Sequence, residues 1–216
     1  MNAGFNTVTW DLRYPAATSF PGMILWGGSV NGPLAAPGTY QIRMTTDGRV
    51  QTQPLRVRRN PNFKDVSDAD LQAQFDLAIQ IRDKTSEANN AVIRIRDLKA
   101  QVADRLTQSQ DARLKAAGDR LTTNLSAIEQ EIYQVKNQSG QDPLNFPIRT
   151  NNRLASLLRV AVSGEGRPTG NVEPIFNDLV LELKAETDRL DTVLVDQLPP
   201  FNNMLQRIKK SPISEK

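Results

Sequence analysis

The chain contains neither cysteine nor histidine, and these two absences exclude several classes of function. Without cysteine no disulfide framework forms, and without either residue no zinc site is built on thiolate or imidazole ligands. The serine–histidine–aspartate and cysteine–histidine mechanisms are excluded as well, because the general base is missing. Chemistry in this chain would therefore have to use carboxylates, lysine, arginine, tyrosine or serine.

Long apolar segments are absent too. Only 38% of the residues are hydrophobic, whereas globular domains usually contain roughly 45–50% when glycine is counted, so the composition indicates an elongated molecule with much solvated surface. The longest apolar run, Met23–Trp26, is far shorter than the ~20 residues that a membrane span requires. The N-terminus shows neither the basic nor the apolar region of a signal peptide. We therefore expect no membrane span.

The net charge of +3 is unevenly distributed along the 216 residues. Residues 1–62 contain six arginines and two acids and carry a net +4, whereas residues 63–216 contain 21 basic and 22 acidic residues and carry −1. A nucleic-acid binder needs several phosphate contacts from one face. The cluster of Arg56, Arg58 and Arg59 is better interpreted as a solvated strand edge, so we expect no nucleic-acid partner.

The first 62 residues predict short strands and turns. Tyr40, Ile42 and Met44 alternate with polar residues, which is the period of a half-buried strand. Asp47-Gly48 supplies the positive-φ pair of a tight hairpin turn, and a second strand is expected over 50–57. Its inward phase shifts around Pro54, which indicates a bulge or an edge.

Two other segments are strand candidates, one in which Val8 and Trp10 alternate with threonines, and the apolar run Met23–Trp26. About four strands are then expected, which is fewer than the roughly seven of a closed β-sandwich. We expect this sheet either to pack on helices or to lack its first strands.

The remainder of the chain predicts helices. Ser67 is the expected N-cap of the first, with Asp68 and Asp70 in its first turn. The predicted helices span about 68–107, 111–137, 150–162, 173–198 and 200–209, and a frayed tail follows at 211–216. We place the division between the last two at Pro199-Pro200, because the two rings remove donors and clash with the preceding turn.

The predicted helix 111–137 carries apolar residues at alternating spacings of four and three. They are Leu114, Gly118, Leu121, Leu125, Ile128, Ile132 and Val135. This pattern is an a/d heptad seam sustained over three heptads. With the first 62 residues, it predicts an α+β, mainly α, fold in which a small antiparallel β module at 1–62 precedes an elongated antiparallel helical bundle at 63–210.

Carboxylate pairs are the main catalytic candidates, because glycoside hydrolysis needs two carboxylates roughly 5–10 Å apart. The pairs on the predicted helices are Glu129/Glu131, Glu182/Glu186 and Asp188/Asp191. They lie among lysine, arginine and glutamine, so we interpret them as solvated helix faces. Asp11, in the β half, is interpreted as an acid that pairs with Arg13 or caps a turn.

Three further features have a structural and a functional interpretation. Segment 164–170 resembles a phosphate loop, but it follows a helix and lacks the Lys-Ser/Thr ending, so a flexible connection is expected. A polar row recurs every seven residues at Arg82, Asn89 and Arg96; it is expected to pair with acids on a neighbouring helix, and the alternative is partner binding. Trp10 and Trp26 are expected in the core of a small sheet rather than stacked on sugars. No residue is assigned a catalytic, cofactor-binding or metal-binding role.

Several segments resemble known families. Gly4–Pro15, with its G-x-N-x-x-x-W-D motif, and Pro33–Arg43, with P-G-x-Y-x-x-R, are similar to the Ig-like domain of the flagellar hook-capping family. Val66–Phe75, Gln80–Asp83 and Phe201–Leu205 resemble the C-terminal region of bacterial sortilin-like β-propeller proteins with BNR (Asp-box) repeats, which are often labelled glycosyl hydrolases. The resemblance implies an exported parent protein whose propeller and first sandwich strands precede this segment, and therefore a partial Ig-like sandwich at 1–62.

Three functions follow as hypotheses. The first is a non-catalytic structural or interaction module from the C-terminus of a larger exported (periplasmic or secreted) protein, whose partner is the upstream propeller domain of the same parent or another protein. The second is a glycoside hydrolase, or an accessory part of one, that uses Asp11 and a helical acid. The third is a free-standing coiled-coil adaptor that oligomerises through the seam at 114–135. The sequence does not set the oligomeric state.

Overall fold

The structure, a computed structural model, describes residues 4–107 and 109–215. Within them it has two strands and four α-helices: β1 (Gly38–Thr46), β2 (Arg49–Val57), α1 (Asp68–Thr107), α2 (Ala112–Ile132), α3 (Thr150–Ala161) and α4 (Val172–Arg207), with a short 3-10 helix at Asp142–Leu144. Gln108 of the predicted turn after the first helix, residues 1–3 and residue 216 lie outside the described part. The prediction of a mainly helical chain with a small antiparallel sheet is confirmed.

All four helices contribute to one hydrophobic core. An apolar stripe along α1 faces this core, and so does the seam of α2, as the apolar spacing of that helix predicts. Their most deeply buried members are Ile81, Ala88, Val92, Ile95 and Val102 on α1 and Leu114, Leu121, Leu125, Ile128 and Ile132 on α2. Val135, the last residue of the predicted seam, lies beyond α2 and is exposed.

α2 ends at Ile132, five residues before the predicted end. Tyr133 leaves the helix in an extended conformation, and its side chain is buried against Phe20, with the two ring centroids 5.1 Å apart in an edge-to-face contact. Its hydroxyl accepts from the Ile24 N–H at 3.1 Å and donates to the Gly22 carbonyl. Burying this ring against a distant segment therefore overrides the local helical preference.

α4 continues through Pro199-Pro200, so the prediction of two separate helices at 173–198 and 200–209 is wrong. Both prolines lie on the exposed face, whereas Phe201 and Leu205 are buried in the core. Each proline inside a helix costs about 3 kcal/mol or more, and burying each of these two side chains contributes roughly 1.5–3 kcal/mol, so burial offsets a large part of the cost. The continuous apolar stripe therefore favours the helical form of the last turns.

The β half contains fewer strands than predicted, because Thr7–Trp10 and Met23–Trp26 are not strands in the structure. Neither segment lies in a ladder that would satisfy its backbone. Residues 12–17 instead run antiparallel to residues 30–35, joined by an isolated bridge between Arg13 and Leu34 and by irregular backbone hydrogen bonds. Gly32 is required at this crossing, because a Cβ there would collide with the Tyr14 carbonyl.

Residues 15–29, called the extended segment below, run along the helices without regular secondary structure, apart from a turn at Pro21-Gly22, and are held by helix side chains. Thr18 donates its N–H to Ser86 Oγ at 3.1 Å, and its carbonyl accepts from Asn89 Nδ2 at 2.6 Å. The side-chain amide of Asn152 bonds both backbone groups of Trp26, accepting at 2.7 Å and donating at 2.9 Å. These side chains replace the missing strand partner, which explains how an irregular segment packs on helices.

The C-terminal tail is held in the same way, which corrects the prediction that it frays. Asn202 bonds both backbone groups of Ile213, at 2.8 and 2.9 Å, and the side-chain amide of Gln101 bonds both groups of Ser214. Ile213 is buried in the common core. The tail is therefore part of the packed structure through residue 215.

The predicted N-cap of α1 is confirmed as a capping box. Ser67 Oγ accepts from the Asp70 N–H at 3.1 Å, and the Asp70 carboxylate accepts from both the N–H and the hydroxyl of Ser67. These hydrogen bonds, mainly the one from the Ser67 side chain and then the one from its backbone, lower the pKa of Asp70.

The Asn152 amide provides a first test of how the extended segment is held. We expect Asn152→Ala to lower the free energy of unfolding by about 1–3 kcal/mol, because the Trp26 N–H and carbonyl lose their partner in a partly buried position. Asn203→Ala, at an exposed position of α4, is the matched control and should change it by less than about 0.5 kcal/mol. Urea unfolding measures both, and equal effects would contradict this role of Asn152.

The capping box predicts a pH dependence. Because the folded-state pKa of Asp70 is depressed below its ordinary value of 3.8, the carboxylate contributes stability above that pH and loses it as pH falls through the folded-state pKa. We expect the stability advantage of the wild type over Asp70→Asn to be constant between about pH 7 and 5 and to shrink below about pH 4. Urea unfolding at a series of pH values measures it; an advantage unchanged at about pH 2 would contradict the assignment.

Candidate interaction surface

The β1–β2 hairpin is the most exposed regular element of the chain. Asp47 and Gly48 form its two-residue turn with φ of 49° and 75°, as the sequence predicts. The strands pair one to one from Thr46↔Arg49 to Gly38↔Val57, without a bulge. The shift in the apolar alternation around Pro54 therefore reflects an edge position, because each strand of a two-stranded hairpin is an edge strand.

One face of the hairpin is apolar and lies open. Residues opposite each other in an antiparallel pair share a face, so the register places Tyr40, Ile42, Met44, Leu55 and Val57 together, with Gln53 opposite Ile42 and Gln51 opposite Met44. The side chains of Ile42 and Met44 are 55% and 44% exposed. The opposite face is mainly polar, with Thr39, Gln41, Arg43, Thr52 and Arg56. The hairpin thus has the pattern of a half-buried sheet without a covering layer.

Tyr40 anchors the apolar face at the base of the hairpin. Its hydroxyl donates to the Ala36 carbonyl at 2.8 Å, and the Trp10 ring meets it edge to face with centroids 5.9 Å apart. Partial burial, with a smaller contribution from Tyr14, raises the pKa of the Tyr40 phenol. Trp10 remains 41% exposed, so the prediction that it is a core residue is wrong. Trp26 is equally exposed, and the same correction applies to it.

Three of the six arginines of the first 62 residues lie at the base of the hairpin. A groove of about 600 Å³ there is lined by Arg56, Arg58, Arg59 and Lys64 and by a single acid, Asp68. Arg59 approaches Asp68 to 3.8 Å. Within the described part of the chain, no side chain pairs with Arg56, Arg58 or Lys64. This base is therefore the cationic end of the surface.

The predicted polar row on α1 binds the extended segment and α2 rather than acids alone. Arg82 donates to the Pro15 carbonyl at 2.9 Å, and Asn89 is fully buried between Thr18 and Asn151. Arg96 binds Glu129 and lies over the rings of Phe20 and Tyr133. Of these three residues, only Arg96 pairs with an acid on a neighbouring helix, as the sequence predicts. The whole row is used inside the molecule.

Glu129 is a buried charge that sequence reasoning missed. Its side chain is only 4% exposed, and its two oxygens accept from Arg96 Nε at 2.6 Å and Lys99 Nζ at 2.9 Å. The sequence contains an indication of this burial, because Glu129 lies four residues after Leu125 and next to Ile128, at the border of the seam. Its interpretation as a solvated residue is therefore wrong.

Each of the other candidate carboxylates contacts a specific basic partner. Glu131 binds Arg149, Glu182 binds Arg153, Glu186 binds Arg189, Asp188 binds Lys184 and Asp191 binds Arg94. Asp11 accepts from the Arg13 backbone N–H at 2.9 Å, which confirms its prediction as a turn cap. Within residues 4–107 and 109–215, no three acidic residues converge into a group that could hold a metal ion.

The glycine-rich segment 164–170 joins α3 to α4 and contacts the base of the β half. Asn60 donates to Glu165 at 3.3 Å, and Arg167 binds Asp70 of the capping box. Beside this segment lies a cavity of about 560 Å³, lined largely by apolar residues that include Leu34, Phe63 and Phe75. The segment therefore lies at the junction between the hairpin and the helices.

No family model, no curated protein and no solved structure matches this chain. In the part of the chain that the structure describes, none of the helices combines the length and apolar character that crossing a bilayer demands.

The burial of Glu129 yields a paired prediction with its neighbour Glu131. We expect Glu129→Gln to lower the free energy of unfolding by about 1–3 kcal/mol, because two charge-assisted hydrogen bonds are lost while Arg96 and Lys99 keep partial access to water. Glu131→Gln removes a half-exposed pair with Arg149 and should cost at most about 1 kcal/mol. Thermal or urea unfolding ranks the two, and a larger effect at Glu131 would contradict the assignment.

Proposed function

We propose that the chain is a non-catalytic interaction module of a larger exported β-propeller protein. Its hairpin forms part of an Ig-like β-sandwich that is completed by a second sheet from the same parent protein. Its helices form an elongated antiparallel bundle that carries the hairpin. The open apolar face of the hairpin is the observation on which this proposal rests.

Energetics support a missing layer over that face. An isolated two-stranded hairpin is marginally stable in water, and stability requires a third strand or packing on another layer. Ile42 and Met44 are exposed near the middle of the hairpin, and covering each such side chain contributes roughly 1.5–3 kcal/mol. A second sheet supplies apolar side chains at the ~10 Å separation of a sandwich.

The carboxylate arrangement favours a binding role over the glycoside hydrolase hypothesis. The helical acids bind arginines or lysines, and Asp11 caps a local turn. Hydrolysis needs a pair of carboxylates that face each other across a cleft. The adaptor hypothesis has less support as well, because the seam from Leu114 to Ile132 is already buried against the other helices of the same chain.

The proposal predicts the size of the native protein. An immunoblot of source cells, with an antibody raised against the isolated 216-residue chain, should reveal a band several times larger than the 24.0 kDa of this chain. A band of 24.0 kDa alone would refute the larger parent protein and would move the free-standing adaptor to first place.

Oxidation of Met44 tests the covering layer directly. In the isolated chain Met44 is 44% exposed, so dilute peroxide should oxidise it readily. In the native protein we expect oxidation at least tenfold slower, because the second sheet excludes solvent. Met23, which packs against the helical core, is the internal control and should react alike in both. Peptide mass spectrometry measures both rates, and equal Met44 rates would contradict a covered face.

A further inference from the structure

We infer that residues 6–10 form a third strand along the outer edge of β1 when the hairpin docks, so that the partner covers the face of a three-stranded sheet. The inference rests on the proposed function and specifies the partner's chemistry. The occupant of the edge is a segment of this chain, and the partner contributes an apolar sheet surface rather than an inserted strand.

The two edges of the hairpin differ in whether they can accept a further strand. In a two-residue hairpin the residues that flank the turn form a hydrogen-bonded pair, and pairs alternate from there. The register therefore makes Gln41↔Pro54 a non-hydrogen-bonded pair, in which both backbones direct their polar groups outward. On β2 the outward position of residue 54 is a proline without an N–H, so this edge is interrupted.

The outer edge of β1 has no such interruption. Its outward-directed residues are Thr39, Gln41, Arg43 and Thr45, and each supplies both an N–H and a carbonyl. An edge of this kind is a template for a further strand. β1 is therefore the edge on which strand addition is possible along its full length.

The position of residues 6–10 relative to β1 favours pairing with this edge. Trp10 already lies beside Tyr40 at the base of β1. Among the described residues, no backbone hydrogen bond is formed by Thr7, Val8 or Thr9, and the Val8 side chain is 83% exposed. With Trp10 kept beside Tyr40, this segment would run along β1 from the tip to the base and so antiparallel to it.

The side chains of residues 7–10 match those of β1 in one register. Keeping Trp10 opposite Tyr40 places Val8 opposite Ile42, so both pairs fall on the open apolar face. Thr9 and Thr7 then fall opposite Gln41 and Arg43 on the polar face. Aromatic and β-branched cross-strand pairs stabilise a sheet. A shift by one residue would put Val8 and Trp10 on the polar face, so the pattern specifies the register.

The resulting sheet presents an enlarged apolar surface to its partner. Its apolar residues are Trp10, Val8, Tyr40, Ile42, Met44, Leu55 and Val57, and Gln51 and Gln53 lie on the same face of β2. Three strands are the usual minimum for an independently stable sheet with an apolar face. With the free edge filled from within the chain, the partner needs to supply only an apolar covering sheet.

Engineered cysteine pairs test the strand, since the chain has no cysteine of its own. Val8→Cys with Ile42→Cys falls in a non-hydrogen-bonded pair, where Cα atoms lie about 4.5 Å apart and a disulfide fits. Thr7→Cys with Ile42→Cys is the matched control, because these side chains lie on opposite faces. Val8→Cys with Gln53→Cys probes the other edge. Each pair is introduced into the native gene product and equilibrated with glutathione.

We expect the effective concentration of the Val8/Ile42 thiol pair to exceed that of both other pairs by at least tenfold. Equal values for the Val8/Ile42 and Thr7/Ile42 pairs would overturn the third strand. Preference for the Val8/Gln53 pair would overturn the choice of edge. The mass and Met44 measurements remain informative in either case: if Met44 is protected but the Val8/Ile42 pair shows no preference, the proposed function stands and this inference fails.

Discussion

Side-chain amides that bond the backbone of extended segments are the interactions on which the rest of the structure depends. An irregular segment packed on helices carries N–H and carbonyl groups that no ladder satisfies, and leaving them unpaired would cost more than packing returns. Helix residues supply the missing partners for residues 15–29 and for the C-terminal tail. They are the amides of Asn89, Gln101, Asn152 and Asn202 and the hydroxyl of Ser86. This arrangement allows Phe20 and Ile213 to enter the helical core.

The same interactions determine which surfaces of the molecule stay exposed. Because residues 15–29 are held on the helices, the β1–β2 hairpin projects from a fixed base at Tyr40 and Ala36. The polar row of α1 and the carboxylates of the helices are used in internal contacts, whereas the apolar face and the β1 edge of the hairpin have no partner layer among the described residues. The molecule therefore combines a closed helical core with an open β surface.

Sequence reasoning succeeded where a period of two or of three to four residues decides the structure. It located α1 and the buried seam of α2, the Asp47-Gly48 turn and the N-cap at Ser67. It failed where a distant contact outweighs a local preference. Tyr133 ends α2 early to reach Phe20, and the buried stripe carries α4 through two prolines. Neither contact partner is visible from local spacing.

The amino-acid sequence alone determined the mainly helical character of the chain, the faces that its helices bury, the hairpin with its apolar face and the exclusion of histidine and cysteine chemistry. Those properties depend on side chains within a few residues of each other. The tertiary structure alone decided that Glu129 is buried between Arg96 and Lys99, that residues 15–29 and the C-terminal tail through residue 215 pack on the helices and that the hairpin face stays open. Those properties depend on residues far apart along the chain, because desolvation and hydrogen-bond satisfaction are set by the whole fold.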